Sequence, residues 1–311
     1  MKAKIIGVLV VLLLFSCSSG KQSKNSQKTT LMETRSKKGY ADVNGIKMYY
    51  EIYGQGKPLV LIHGGGSTIQ TTFGSIIPLL AQNRQLIGVE LQAHGHTSDR
   101  NSDLSFEQDA DDIISLLNYL NIEKADFFGF SNGGTTALQI GIRHPEHVGK
   151  IIAASALSKR NGVPSQFWDF MKNATLDQMP QQYKDAYLNA SPHPENLKIM
   201  GDKCAKRMVD FKDISDKQLQ SIKAPVLIVI GDTDVMTPEH AVEMHRLISN
   251  SQLAIIPGGH GDYIGEITTL RPETKNSEFI TPILEKFLNH QDILRIQGKA
   301  KTKNYRWLRS L

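Results

Sequence analysis

The chain has 311 residues, 40% of them hydrophobic, 22% charged and 7% aromatic. That composition excludes disorder throughout and suits one large α/β domain or two smaller ones. The net charge of +5 belongs to the flanks: residues 1–16, 17–40 and 295–311 carry +2, +5 and +6, which leaves residues 41–294 at −8. An acidic body excludes a basic nucleic-acid-binding face, so no nucleic-acid partner is expected.

Lys2 and Lys4 precede the apolar run from Ile5 to Phe15, which is too short for a permanent bilayer-spanning helix. The following stretch, Leu14-Phe15-Ser16-Cys17, resembles the lipobox of bacterial lipoproteins. The resemblance implies that residues 1–16 are a signal peptide, that Cys17 is lipidated, and that the protein is anchored to a membrane of the bacterial cell envelope. Several acyl chains anchor stably where one is marginal. The alternative is an ordinary secreted protein with an incidental Cys17. Residues 17–39 are rich in Ser, Lys, Gln and Thr and predict a flexible tether, with the folded domain starting near Tyr40. The basic flanks fit an anionic lipid surface or are simply solvated. Cys204, the only other cysteine, reads as a plain core or surface thiol.

Asn44-Gly45 between alternating segments predicts a hairpin of 40–43 with 46–53. Apolar runs predict strands at 58–63, 85–90, 125–130, 150–155, 225–230 and 252–256. Helical spacing predicts helices over 106–120, 132–143, 239–248 and 278–288. Apolar strands alternating with helices imply an α/β fold, a mostly parallel twisted sheet covered on both faces. Residues 40–157 and 222–290 form this core. Residues 158–221 break the alternation and predict a small helical cap, with Phe167, Trp168, Phe170, Met171, Tyr183 and Tyr187 as cap core or substrate wall. Residues 291–311 form a basic tail.

Gly129-Phe130-Ser131-Asn132-Gly133 follows a predicted strand and opens a helix, which is the setting of a nucleophile elbow. A serine hydroxyl needs a base. Pro257-Gly258-Gly259-His260-Gly261, after the last strand, offers His260 on a flexible support. Gly231-Asp232-Thr233-Asp234 ends another strand; Asp234 is the expected partner of the histidine, with Asp232 as the alternative. Two amides should stabilise an oxyanion. One is that of Asn132; the other comes from His63-Gly64-Gly65-Gly66, with Gly65 favoured over Gly66 and His63 as a structural anchor.

These four motifs, in this order, resemble the α/β-hydrolase superfamily, in its capped esterase, lipase and haloperoxidase-like branch, across nearly all of residues 40–290. The resemblance implies a serine hydrolase acting on a carboxylic ester or related small acyl compound. Ser131, His260 and Asp234 would form its triad, with no metal or organic cofactor. One loop departs from the family pattern. Glu90-Leu91-Gln92-Ala93-His94-Gly95-His96-Thr97 stands where many relatives carry D-x-x-G-H-G-x-S, which puts ligand contacts from that loop in question. Rival readings are a metal hydrolase using His94 and His96, which fails on spacing, and a non-catalytic ligand-binding lipoprotein. Peptidase, amidase and carbon–carbon hydrolase action also stay open.

Overall fold

A computed structural model describes residues 35–271 and 273–290. The expected signal segment 1–16, Cys17, the tether up to residue 34 and the tail 291–311 lie outside them. The chain enters the sheet as an antiparallel hairpin of β1 (Arg35–Val43) and β2 (Ile46–Tyr53). It turns at Asn44-Gly45, where φ values of 44° and 85° suit a tight hairpin turn. Strand β1 starts earlier than the tether was expected to end. Lys37 and Lys38 pair with Ile52 and Glu51 while their side chains stay exposed. Backbone pairing, not apolar burial, recruits this polar stretch, and a reading based on apolar content misses it.

The core continues through β3 (Pro58–Ile62), α1 (Ile69–Phe73), α2 (Ile77–Leu80), β4 (Gln85–Val89), α3 (Phe106–Tyr119), β5 (Ala125–Phe130), α4 (Asn132–Arg143) and β6 (Val148–Ala154). The cap supplies α5 (Ser165–Lys172), α6 (Gln181–Ala190), α7 (Leu197–Val209) and α8 (Asp216–Ser221). The core then resumes with β7 (Val226–Gly231), α9 (Pro238–Leu247), β8 (Ser251–Ile256) and α10 (Asn276–Asn289). The strands form one eight-stranded sheet in the order β1-β2-β4-β3-β5-β6-β7-β8. Pairs β1/β2 and β2/β4 are antiparallel and the rest parallel.

Every residue of β5 and β7 is buried, because helices cover both faces of the sheet. Alternation divides each strand between two cores. Val226, Ile228 and Ile230 join the layer beneath α3 and α4, whereas Leu227 and Val229 join the layer holding Phe73, Leu284 and Phe287. Each such side chain contributes about 1.5–3 kcal/mol of burial. Helix α3 starts where Ser105 accepts a hydrogen bond from the Gln108 amide at 3.1 Å, and it buries Ile113, Leu116 and Leu117.

The cap packs Trp168 against the Arg160 guanidinium, 3.7 Å from the ring centroid, and its indole N–H donates to the Arg160 carbonyl at 3.0 Å. A buried ion pair fastens the cap to the core: Arg207 of α7 meets Asp109 of α3 at 2.8 Å, with both side chains almost fully enclosed.

Candidate active site

The parallel strands end on one edge of the sheet, and four of the loops there converge. The first is the turn from β5 into α4. Ser131 makes it with φ 55° and ψ −120°, a strained backbone for a residue with a side chain. The turn closes because its neighbours lack side chains. A Cβ on Gly129 would overlap the Gly133 carbonyl, and one on Gly133 would overlap the Ile62 carbonyl. The Ser131 amide donates to the Ala154 carbonyl at 2.8 Å, which fixes the turn against β6.

The second loop follows β8 and carries His260. Its carriage is built from acceptors: Asp232 takes the Gly258 amide at 2.8 Å and Asp262 takes the Gly259 amide at 2.6 Å. The third loop follows β7 and carries Asp234, whose buried Oδ1 lies 2.7 Å from His260 Nδ1. The structure therefore distinguishes the two aspartates: Asp232 braces the histidine loop, and Asp234 meets the ring. Burial alone would raise the Asp234 pKa. Hydrogen bonds from His260, Ser155 and the Met236 amide outweigh it and hold the carboxyl below its ordinary value.

The fourth loop follows β3. A Cβ on Gly65 would stand 2.5 Å from Asn132 Nδ2, so the glycine turn and the start of α4 lie side by side. Asn132 is the first residue of its helix, where amides lack intrahelical acceptors. Among the described residues, neither its amide nor that of Gly65 has a protein acceptor. The Gly66 amide, the alternative donor, is spent on His94 Nε2 at 3.0 Å.

Gly65, Ser131, Asn132 and His260 line one cavity of about 390 Å³ between the sheet edge and the cap. Ser131 and His260 are not hydrogen-bonded to each other among the described residues. His260 Nε2 is the ring nitrogen left over for that partnership.

Residues 57–199 match the family model described as the alpha/beta hydrolase fold. An uncharacterized protein of Mycobacterium tuberculosis, Rv2715, is 32% identical over 260 residues, covering 71% of this chain and 75% of that one. The non-heme chloroperoxidase CPO-A1 of Kitasatospora aureofaciens is 27% identical over 251 residues, covering 70% and 90%. Among solved structures, the enol-lactonase from Burkholderia xenovorans LB400 superposes with a TM-score of 0.64 at 20% identity, covering 81% of this chain and 100% of that chain.

The chain belongs to the α/β-hydrolase superfamily.

In this α/β-hydrolase the divergent loop after β4 still serves the site. Glu90 is buried and accepts from the His96 amide at 2.6 Å and from His96 Nδ1 at 2.9 Å. That clasp shapes the turn that delivers His94. The Gly66 amide can only donate, so His94 Nε2 accepts and the proton sits on Nδ1, facing the Gln92 carbonyl at 2.8 Å. Burial lowers the His94 pKa well below its ordinary value and keeps the ring neutral. His63 acts as the expected anchor. It donates to the Gly64 carbonyl at 2.7 Å and accepts the Leu91 amide at 3.1 Å, with burial lowering its pKa to about 4. No group of three His, Cys, Asp or Glu residues among those described is arranged to hold a metal ion.

Cys204 is a correction to the sequence reading. It is neither incidental core nor surface, because it lines the cavity with Sγ 3.3 Å from His94 Nε2. Burial raises its pKa and keeps the thiol neutral, with its S–H donated to Met200 Sδ at 3.7 Å. Two further residues escaped the sequence reading. Ser155 Oγ donates to Asp234 Oδ2 at 2.5 Å, and Tyr263 lies 2.7 Å from the same Oγ. Neither belongs to a motif. Tyr263 lies three positions after His260, and that spacing is the only sequence signal it leaves. Of the cap aromatics, Phe167, Phe170 and Tyr183 line the cavity, whereas Trp168 and Tyr187 are buried elsewhere in the cap.

Proposed function

We propose that this α/β-hydrolase is a serine esterase that cleaves a carboxylic ester, or a closely related acyl compound, through an acyl-enzyme. The observation that carries this reading is the 2.7 Å bond from His260 to the buried Asp234, with that histidine and Ser131 on one cavity wall.

Ser131 Oγ attacks the substrate carbonyl carbon while His260 Nε2 takes its proton. The carbonyl π electrons move to oxygen, and the amides of Gly65 and Asn132 donate to that oxyanion. When the tetrahedral centre collapses, the bond to the leaving oxygen breaks and His260 passes its proton to the departing alcohol. Water then gives a proton to His260 and attacks the acyl carbon. Collapse of this second centre releases the acid and returns the proton to Ser131. Asp234 holds His260 with its proton on Nδ1 and stabilises the imidazolium. These residues supply each proton transfer, and no step calls on a cofactor.

The test is fluorophosphonate labelling of residues 35–311 beside the Ser131→Ala variant, followed by an ester, thioester and amide panel. The reading expects labelling of the parent only, with ester turnover lowered about 10³-fold or more in Ser131→Ala and His260→Ala. A well-folded parent that neither labels nor turns over any acyl substrate would count for a ligand-binding role on the same fold.

We also propose that the full chain is held at a bacterial membrane through lipid on Cys17. The support is the basic, apolar and Leu14-Phe15-Ser16-Cys17 pattern. Replacement by Cys17→Ala should move the protein from the membrane to the soluble fraction.

A further inference from the structure

The cavity under the cap has a largely apolar wall, with Thr175 and Gln178 as uncharged polar members. Phe130, Phe167, Met171, Leu176, Met179 and Met208 supply much of it. No lysine or arginine is among its lining residues. Its one aspartate, Asp202, is exposed and already paired with Lys198 at 2.6 Å. Arg207 is the neighbour of Met208 in sequence, but it is buried against Asp109 at 2.8 Å and is not part of the wall. The phenol of Tyr183 is raised above its ordinary pKa, first by burial and then by the Glu266 carboxyl nearby, so it presents a neutral group. Even the mouth is apolar: Phe170 and Val235 line the cavity while being 46% and 42% exposed.

A charged ligand group moved into such a wall loses its hydration and gains no partner. An uncharged chain gains burial at each methylene. We propose that the part of the substrate held under the cap is an uncharged hydrocarbon chain, and that esters whose chain ends in a carboxylate are rejected. This rests on the serine-hydrolase reading and adds the substrate class to it. At about 30 Å³ per water-sized group, the cavity of about 390 Å³ holds on the order of a dozen non-hydrogen atoms. Four methionines on the wall, Met171, Met179, Met208 and Met236, adapt to chain shape. Selection is therefore by charge more than by branching.

The experiment uses two matched pairs that differ only at the chain end. Methyl hexanoate is set against monomethyl adipate, which probes the acyl side. Pentyl acetate is set against 5-acetoxypentanoate, which probes the alcohol side. Binding is measured by calorimetry on the Ser131→Ala protein, which cannot turn the ligands over, and kcat/KM is measured on the parent. In at least one pair the neutral member should bind more than tenfold tighter, and lengthening that chain should raise kcat/KM by about three- to fourfold per methylene until the cavity is full. Equal or tighter binding of the charged member in both pairs overturns the inference. Neutral-selective binding without any turnover upholds the inference and sinks the esterase reading; turnover without selectivity does the reverse. A Met171→Arg variant, at a partly exposed position, should narrow the selectivity. If that variant does not fold, the paired binding comparison decides alone.

Discussion

Ser155 Oγ donates to Asp234 Oδ2 at 2.5 Å, from the opposite side of the carboxylate to His260. Ser155 follows the end of β6 with φ 46°, and its amide is held by the Val229 carbonyl at 2.8 Å. Because the serine proton faces the carboxylate, the buried Tyr263 hydroxyl must donate to Ser155 Oγ, at 2.7 Å. The result is a line of donors, Tyr263 to Ser155 to Asp234, that fixes the carboxylate plane before the histidine meets it.

Under the proposed mechanism, Ser155→Ala removes a charge-assisted hydrogen bond of about 1.5–3 kcal/mol. It should lower kcat/KM by about tenfold or more while leaving the fold intact. It should also shift the acid limb of the pH–rate profile upward, because an unshared carboxylate charge stabilises the imidazolium more strongly. Tyr263→Phe should act in the same direction and more weakly. An unmoved acid limb in both variants would reduce the pair to ordinary packing.

Gly65→Ala tests the oxyanion turn. The new methyl would sit 2.5 Å from Asn132 Nδ2, so either that side chain or the glycine turn must shift. Displacing one oxyanion donor costs about 10²–10³ in turnover elsewhere. The expected outcome is a fall in kcat of at least tenfold with little change in melting temperature. A variant with full kcat would move the second donor away from this turn.

The Arg207–Asp109 pair joins cap to core with both side chains almost fully buried. Burial raises the Asp109 pKa to about 6, and Arg207 opposes that rise without cancelling it. Removing one partner leaves the other buried alone, at a cost of about 3–5 kcal/mol. Arg207→Met and Asp109→Leu should each destabilise the protein in urea, and the double Arg207→Met/Asp109→Leu should recover much of the loss. Additive losses in that double-mutant cycle would show that the contact carries no coupling.

Stability should fall with acid between about pH 6.5 and pH 4. Burial lowers His63 and His240 to about 4 and His94 further. In the unfolded chain these rings gain protons near the ordinary value of about 6.5, so in this window the unfolded state binds more protons. Each ring then removes up to about 1.4 kcal/mol per pH unit. Asp109 has the opposite sign: its raised folded pKa favours the fold as pH drops from about 6 towards its ordinary value, and it offsets about one histidine. Chemical denaturation at several pH values should show a net slope of roughly two protons. His240 accepts the Ser158 amide at 3.0 Å and does not line the cavity, so His240→Gln should reduce that slope by about one. A flat profile from pH 7 to 4.5 would contradict the assignment.

Much of this fold was legible from period and punctuation alone. Strand β7 is apolar at every position because both faces are covered, and Asn44-Gly45 permits little besides a tight turn. The sequence by itself also identified Ser131, His260 and Asp234 as candidates, since glycines and strand ends mark where a chain can present a side chain at a sheet edge. It also marked the divergent loop at Glu90, though not its use. The early start of β1 was hidden because backbone pairing carries no side-chain signature.

Only the tertiary structure decided which aspartate meets the histidine, that His94 consumes the Gly66 amide, and that Ser155, Tyr263 and Cys204 belong to the site. Each of these contacts joins residues at least 26 positions apart in the chain. Period and local propensity describe only near neighbours. A hydrogen bond between distant loops depends on distances of a few tenths of an ångström, and packing sets these only after the sheet and cap have closed.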